Sequence, residues 1–210
     1  MSGHMSFEQF VTAQLPPMPS SLLEVGCGRG KLARRIASVG YRVVAIDPEA
    51  PQGDLFQRVS LEEFTIADPF DAVIADRSLH HIADLGAALD KLVHLLRPEG
   101  RLIVNEHAWD RLDDATARWY LEKRASKQPD EALSIERCVA EWEDDHAGLH
   151  GYVALRRELD RRFTVRSFEW TPYLYRELGG AVSEPEERSL IESGKIQAVG
   201  FRYVGERKSD

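Results

Sequence analysis

Glu24, Gly26, Gly28 and Gly30 carry the densest chemical information in the chain. The apolar run Leu22-Leu23-Glu24-Val25 leads straight into Gly26-Cys27-Gly28-Arg29-Gly30, and Lys31-Leu32-Ala33-Arg34-Arg35-Ile36 follows with a helical pattern. A strand that enters a glycine turn and then a helix gathers free backbone N–H groups at one spot, and residues without Cβ let a ligand approach there. The spacing narrows the ligand. Dinucleotide loops read G-x-G-x-x-G. Here the third glycine arrives one residue early, at Gly30, and Lys31 stands where that pattern needs glycine. A carboxylate at Glu24 would repel a pyrophosphate but attract an ammonium or sulfonium cation.

The stretch from Glu24 to Gly30 resembles motif I of the class I S-adenosylmethionine (SAM) dependent methyltransferases. The resemblance continues through Val43-Val44-Ala45-Ile46-Asp47, which reads as a second strand ending in an acid, 21 residues after Gly26. Asp71-Ala72-Val73-Ile74-Ala75-Asp76 with Leu79-His80-His81-Ile82 resembles the fourth strand and its loop. Leu95-Leu96-Arg97-Pro98-Glu99-Gly100-Arg101-Leu102-Ile103-Val104 resembles the fifth strand and its approach. Four motifs in order over residues 20–105 are more specific than one glycine loop. The second half of the chain resembles the family only loosely.

The resemblance implies a SAM site with three parts. Glu24 and the loop Gly26, Cys27, Gly28 and Gly30 match the methionine end, with Cys27 a small space-filler. Asp47 can accept hydrogen bonds from both ribose hydroxyls, strengthened by its charge, although the same position serves NAD enzymes. Pro48 is expected on the adenine, with Ser60, Leu61 and Glu62 at its edge. The family commonly has an acid at Ser60, so serine is a departure there. Asp76 and Arg77 close the fourth strand, where strand ends line the crevice of an open α/β sheet. Asp76-Arg77-Ser78-Leu79 also lacks the Asn/Asp-Pro-Pro-aromatic tetrad of enzymes that methylate nucleic-acid bases.

Methyl transfer from a sulfonium is an in-line displacement, so the protein chiefly positions the reactants. An oxygen acceptor must also lose a proton, and histidine suits that task near neutral pH. Candidate bases are His81, from the Leu-His-His run, and His107, with Glu106 as its orienter. His146 and His150 stand four apart, on one helix face if the helix is continuous. With Asp145 they hint at a metal site, but Gly148 can break the helix between them and no third ligand is fixed by spacing, so no metal is expected and His146 and His150 are read as catalytic candidates in the acceptor pocket. Trp170-Thr171-Pro172-Tyr173-Leu174-Tyr175-Arg176-Glu177 could supply aromatic walls.

The elements that must hold these residues are apolar runs alternating with helical stripes. Strands are expected near 21–25, 42–46, 55–59, 71–75 and 101–106, and helices at 30–39 and 84–97. Continuous apolar strands belong to a parallel sheet covered on both faces. Ser6 is the expected N-cap of a short helix over residues 7–15 that would lie beside the cofactor site. Helical patterning recurs at 113–127, 134–147 and 149–162. Alternating segments at 163–170 and 196–204 then form paired strands at one edge. The expected fold is α/β: a Rossmann-like, mostly parallel seven-stranded sheet with helices on both faces and the last strand antiparallel. Residues 107–162 form a helical insertion between strands 5 and 6, which the resemblance places over the acceptor pocket. One domain over 6–210 is expected, with Met1-Ser2-Gly3-His4-Met5 read as an expression-vector scar.

The 210 residues are 43% apolar and 30% charged, ordinary for a globular domain, with net charge −8. No basic block favours DNA or another polyanion as partner. No apolar run approaches the roughly 18 residues of a membrane span. Two isolated cysteines, Cys27 and Cys138, fit a reducing compartment, and with no visible signal peptide the expected location is cytoplasmic. The expected activity is SAM-dependent methylation of a small-molecule acceptor, first at a hydroxyl oxygen. Alternatives are N- or C-methylation on the same fold, or a non-catalytic binding protein of that fold. A nucleotide-dependent oxidoreductase would need the missing glycine spacing. Oligomeric state is not legible from the sequence.

Overall fold

Apolar runs alternating with helices build one sheet of seven strands. The computed structural model describes residues 5–125 and 134–208. Its strands are β1 (Ser21–Val25), β2 (Arg42–Ile46), β3 (Phe56–Gln57), β4 (Phe70–Asp76), β5 (Leu96–His107), β6 (Phe163–Thr171) and β7 (Gly200–Arg207). Their order is β3-β2-β1-β4-β5-β7-β6. The first five are parallel, and β7 runs antiparallel to both β5 and β6. The chain leaves β1 toward β2 and β3, then crosses back to β4 on the other side of β1. That reversal opens a crevice over the carboxyl ends of β1 and β4.

Helices α1 (Phe7–Gln14), α2 (Lys31–Ser38), α3 (Leu85–Leu95), α4 (Asp114–Ala125), α5 (Ile135–Asp145), α6 (Tyr152–Arg162), α7 (Leu174–Glu177) and α8 (Glu184–Glu192) surround the sheet. On one face Leu89 and Leu92 of α3 and Leu155 and Leu159 of α6 are completely buried against Leu23, Val73 and Leu102. Each such leucine contributes about 1.5–3 kcal/mol. The stripe at i, i+3, i+4 thus decides the orientation of α3. On the other face α1 and α2 cover Leu22, Ile74 and Ile103 with Phe10, Val11 and Ile36. A third cluster joins Tyr120 of α4, Cys138 and Trp142 of α5, and Leu174 and Leu178 around α7.

Several boundaries move for physical reasons. The helix expected over 84–97 stops at Leu95, because Leu96 already pairs with Phe70 as the start of β5. The third strand shrinks from 55–59 to the two residues of β3. The last strand, expected over 196–204, runs instead from Gly200 to Arg207. Ile196, Ala198 and Val199 are buried but precede it; Val199 packs in the third cluster, and its carbonyl accepts the Ala108 N–H at 2.7 Å. The helix expected at 149–162 begins only at Tyr152. Asp110 caps it there, accepting the N–H groups of Tyr152 and Val153 at 2.7 and 3.1 Å. Within the expected insertion, α6 joins the main helical layer beside α3, while α4 and α5 form the third cluster. Residues 126 and 127 of the helix expected at 113–127, and residues 1–4 of the expected scar, lie outside the described residues. Among the described residues, no helix is long and apolar enough to cross a membrane.

Candidate active site

The β1 and β2 ends are laced together. The N–H groups of Gly26 and Cys27 both donate to the Ile46 carbonyl, at 2.9 and 3.1 Å. The Gly28 N–H donates to Asp47 Oδ2 at 2.9 Å, and the other Asp47 oxygen accepts the Glu49 N–H at 2.8 Å. At Gly26, φ is +73°, and a Cβ would lie 2.3 Å from the Cβ of Ser78. At Gly28, φ is +49°, and a Cβ would meet no heavy atom within 4 Å. Gly26 is therefore required by the fold, whereas the space beside Gly28 is open to a ligand. Gly30 is the N-cap of α2.

Glu24 is buried at the bottom of this arrangement, only 3% exposed, and its Oε2 has no hydrogen-bond partner. Burial first, and the neighbouring Asp76 carboxylate second, push its pKa up to about 8. An unsatisfied buried oxygen costs about 1–3 kcal/mol, which a cationic donor would offset. Glu24 borders a cavity of about 440 Å³ together with Gly26, Gly28, Asp76, Arg77 and Arg176. Ser6 and Phe7, at the start of α1, line it too, so the expected position of that helix beside the site is the observed one. Asp76 is held in place by Asn105 Nδ2, which donates to its Oδ1 at 2.8 Å. Arg77 adopts φ 52°, and its N–H donates to the Asn105 carbonyl at 2.7 Å. Burial pushes the Cys27 thiol up to about 12, so it carries no thiolate at neutral pH.

A second cavity of about 320 Å³ adjoins the first through Gly26 and Arg77. Its walls include Asp47, Pro48, Ser60, Leu61, Glu62 and His81. The Ser60 hydroxyl donates to Glu63 Oε2 at 3.2 Å and accepts the Glu63 N–H at 3.3 Å. The first cavity is charged and the second is mostly apolar, which divides the crevice along its length.

The histidines separate into different environments. His81 is exposed at the wall of the second cavity. Partial burial first, then the neighbouring His80, lower its pKa. The expected pairing of Glu106 with the His107 ring does not occur. Glu106 Oε2 instead meets His80 Nδ1, because β5 turns the Glu106 side chain toward the loop after β4. His107 is 2% exposed, stacks on Tyr173 with ring centroids 3.8 Å apart, and leaves its Nε2 without a partner. Burial and the nearby His146 push its pKa down to about 2. His146 ends α5, and Gly148 at φ 85° breaks the helix before His150. His146 Nδ1 bonds the Trp142 carbonyl at 2.6 Å, while His150 Nε2 bonds the Ile82 carbonyl at 2.8 Å. Among the described residues, no three His, Cys, Asp or Glu side chains converge as metal ligands.

A family model described as a methyltransferase domain matches residues 6–167. This chain belongs to the class I SAM-dependent methyltransferases. The methyltransferase is 32% identical over 111 residues to a ubiquinone biosynthesis O-methyltransferase of Xylella fastidiosa, a match covering 46% of this chain and 45% of that protein. It therefore spans less than half the length of that curated relative. Its fold superposes on a SAM-dependent methyltransferase from Mesorhizobium loti with TM-score 0.62 and 15% identity, covering 94% and 96% of the two chains. It also superposes on the N-methyltransferase NodS of Bradyrhizobium japonicum, crystallised with S-adenosyl-L-homocysteine (SAH), with TM-score 0.53, 15% identity and coverage of 90% and 79%.

The crevice of this methyltransferase fits SAM. The unpartnered Glu24 oxygen would accept a hydrogen bond from an ammonium group, the space beside Gly28 would admit a ligand chain, and the mostly apolar second cavity would take an adenine ring. Sequence reading missed Asn105, Ser78 and Arg176 as individual site residues. Their roles depend on strand pairing and on the α7 segment folding back, and no local spacing encodes either.

Proposed function

We propose that this methyltransferase transfers the methyl group of SAM to a hydroxyl oxygen of a small-molecule acceptor. The buried, unpartnered Glu24 carboxylate carries the reading, because it gives the crevice a fixed anchor for the cationic end of the cofactor. When bound, SAM supplies an activated methyl carbon. The chain's own residues position it: Glu24 and the Gly26–Gly30 loop at the amino-acid end, Asp47 at the ribose, and Pro48, Ser60 and Leu61 at the adenine. Arg77 lines both cavities, and Asp76 lines the charged one beside Glu24.

His81 is the candidate base. Its depressed pKa keeps the imidazole neutral at pH 7, free to accept a proton. The relative from Xylella fastidiosa is named an O-methyltransferase, which supports oxygen as the first acceptor atom. The net charge of −8 favours a small acceptor over a polyanion. α4 and α5 brace α7, so these two helices would shape the acceptor side of the crevice. Both cysteines are free and buried, in keeping with a reducing, cytoplasmic setting.

Incubation with methyl-labelled SAM and a panel of phenols, alcohols and amines tests the reading. Labelled ether products support it. Labelled amines alone would replace oxygen with nitrogen, and SAH binding without any turnover would favour a non-catalytic role.

A further inference from the structure

Beyond Ser6 and Phe7 the charged cofactor cavity continues into a smaller one of about 130 Å³, and Arg176 lines both. The walls of the smaller cavity include Asn105, Tyr173, Tyr175 and Arg202. Arg202 is 5% exposed and lies over the rings of Phe7 and Phe10. Its Nη1 donates to Glu169 Oε1 at 2.8 Å and to the Met5 carbonyl at 3.0 Å, but its Nε has no partner. Arg176 is exposed, 5.0 Å from the Tyr175 ring centroid, and among the described residues no carboxylate pairs with it. The one acid in the walls, Glu184, accepts a hydrogen bond from Arg188 at 3.2 Å.

The segment that presents Arg176 is fixed in place. Glu187 of α8 is fully buried, and its carboxylate accepts the backbone N–H groups of Tyr173, Leu174 and Tyr175 at 2.9, 3.1 and 2.7 Å. The cavity thus holds two guanidinium groups, one of them buried with a donor to spare, between two tyrosines. Planar guanidinium donors match the paired oxygens of a carboxylate or a phosphate, and the small cavity of about 130 Å³ favours the smaller, planar carboxylate.

We propose that the smaller cavity binds a carboxylate on the methyl acceptor, so that the acceptor is a small organic acid. This rests on the small-molecule reading above. Arg176 and the free Nε of Arg202 are the donors, and Asn105 and the tyrosines enclose the rest of the molecule. The cofactor's own carboxylate is the competing occupant of Arg176, since that residue also borders the cofactor cavity. Arg202 borders only the smaller one among the cavities described.

The test uses the full chain saturated with SAH. Hydroxybenzoates and short aliphatic hydroxy acids are titrated by calorimetry beside their neutral carboxamides, against wild type and R176Q. Arg176 is exposed, so its replacement leaves the core intact. At least one acid is expected to bind wild type about 10-fold or more tightly than its amide, and R176Q is expected to lose that preference. SAH affinity itself is expected to change by less than about threefold. Acids and amides binding alike overturns the inference, as does an R176Q variant that keeps the preference. A variant that loses SAH affinity about 10-fold and keeps the acid preference assigns Arg176 to the cofactor, and also overturns it. Labelled SAM then separates the two readings: methylation of neutral phenols but of no acid leaves small-molecule methyl transfer standing and removes the acid specificity.

Discussion

Glu106 Oε2 meets His80 Nδ1 at 2.5 Å, although the two residues are 26 positions apart and His107 is the chain neighbour of Glu106. The other oxygen of Glu106 accepts the N–H groups of Ser78 and Leu79 at 2.9 and 2.7 Å. The Ser78 hydroxyl donates to the Val25 carbonyl at 2.9 Å, and Ser78 abuts Gly26. One buried carboxylate on β5 therefore fixes the turn after β4 against the loop after β1.

Replacing Glu106 with alanine removes the acceptor of three backbone N–H groups, those of Ser78, Leu79 and His107, and of the His80 ring. A loss of about 3 kcal/mol or more in unfolding free energy is expected by urea titration. Because the turn supports the glycine loop, SAH affinity should fall with it, and Glu106→Gln, which keeps one acceptor, should lose less of both. An alanine variant as stable as wild type would show that the turn is held by something else.

Asp47 holds the loop and is the proposed acceptor for the ribose hydroxyls. Its two oxygens already accept the Gly28 and Glu49 N–H groups, and a carboxylate has further lone pairs for hydroxyls. Asp47→Ala should weaken SAH binding by about 10-fold or more, and Asp47→Asn by less, since the amide oxygen still accepts. Unchanged affinity in both variants would remove Asp47 from the cofactor site.

Much of this was readable in the chain. Uninterrupted apolar runs announced the doubly covered strands β1 and β4, and the leucine stripe of α3 announced the buried face of that helix. The glycine loop, Glu24 and Asp47 fell where the crevice opens, because local spacing encodes a strand-turn-helix unit. What spacing does not encode is which side chains meet across strands. Glu106 beside His107 read as a base and its orienter; alternation along β5 sends the two in different directions. Likewise Ile196–Val199 is as apolar as a strand, yet Val199 packs in the third cluster, which forms only once α4, α5 and α7 assemble.

With Glu24 as the proposed anchor of the cofactor's ammonium, cofactor binding is expected to depend on pH. Glu24 has a pKa of about 8 in the free protein, above the ordinary 4.5, and an ammonium beside it lowers that value. Binding therefore releases a proton below pH 8, and SAH affinity should rise from about pH 6 to about pH 8, where the ligand's own amine begins to lose charge. Calorimetry in buffers of different ionisation enthalpy should register the released proton in wild type and none in Glu24→Gln. In the ligand-free protein the sign reverses. The folded pKa is raised, so this group's contribution to stability is full below pH 4.5 and is lost as pH rises through 8; the Gln variant should lack that loss.

Gly26 and Gly28 separate folding from binding. Gly28→Ala should cost about 1–2 kcal/mol, the strain of a left-handed alanine with open space around it. Its larger effect should be on SAH affinity, because the new methyl occupies the ligand's approach. Gly26→Ala drives a methyl into Ser78 and should lose stability first. Equal effects of the two on unfolding would argue that the space beside Gly28 is not used by the cofactor.

The histidines divide between chemistry and packing. His81→Ala should lower turnover about 100-fold or more, with SAH affinity nearly unchanged, if it removes the proton from the acceptor. His107→Phe should keep the stack on Tyr173, relieve the unpartnered Nε2 and leave turnover within about threefold. It should also alter acid stability in a defined direction. The His107 pKa is depressed from 6.5 to about 2, so its contribution is present above pH 6.5 and is lost as pH falls through that range. The Phe variant should therefore hold its melting temperature better than wild type between pH 6.5 and pH 4. A turnover loss in His107→Phe matching that in His81→Ala would move the base to the buried ring and require the aromatic cluster to open during catalysis.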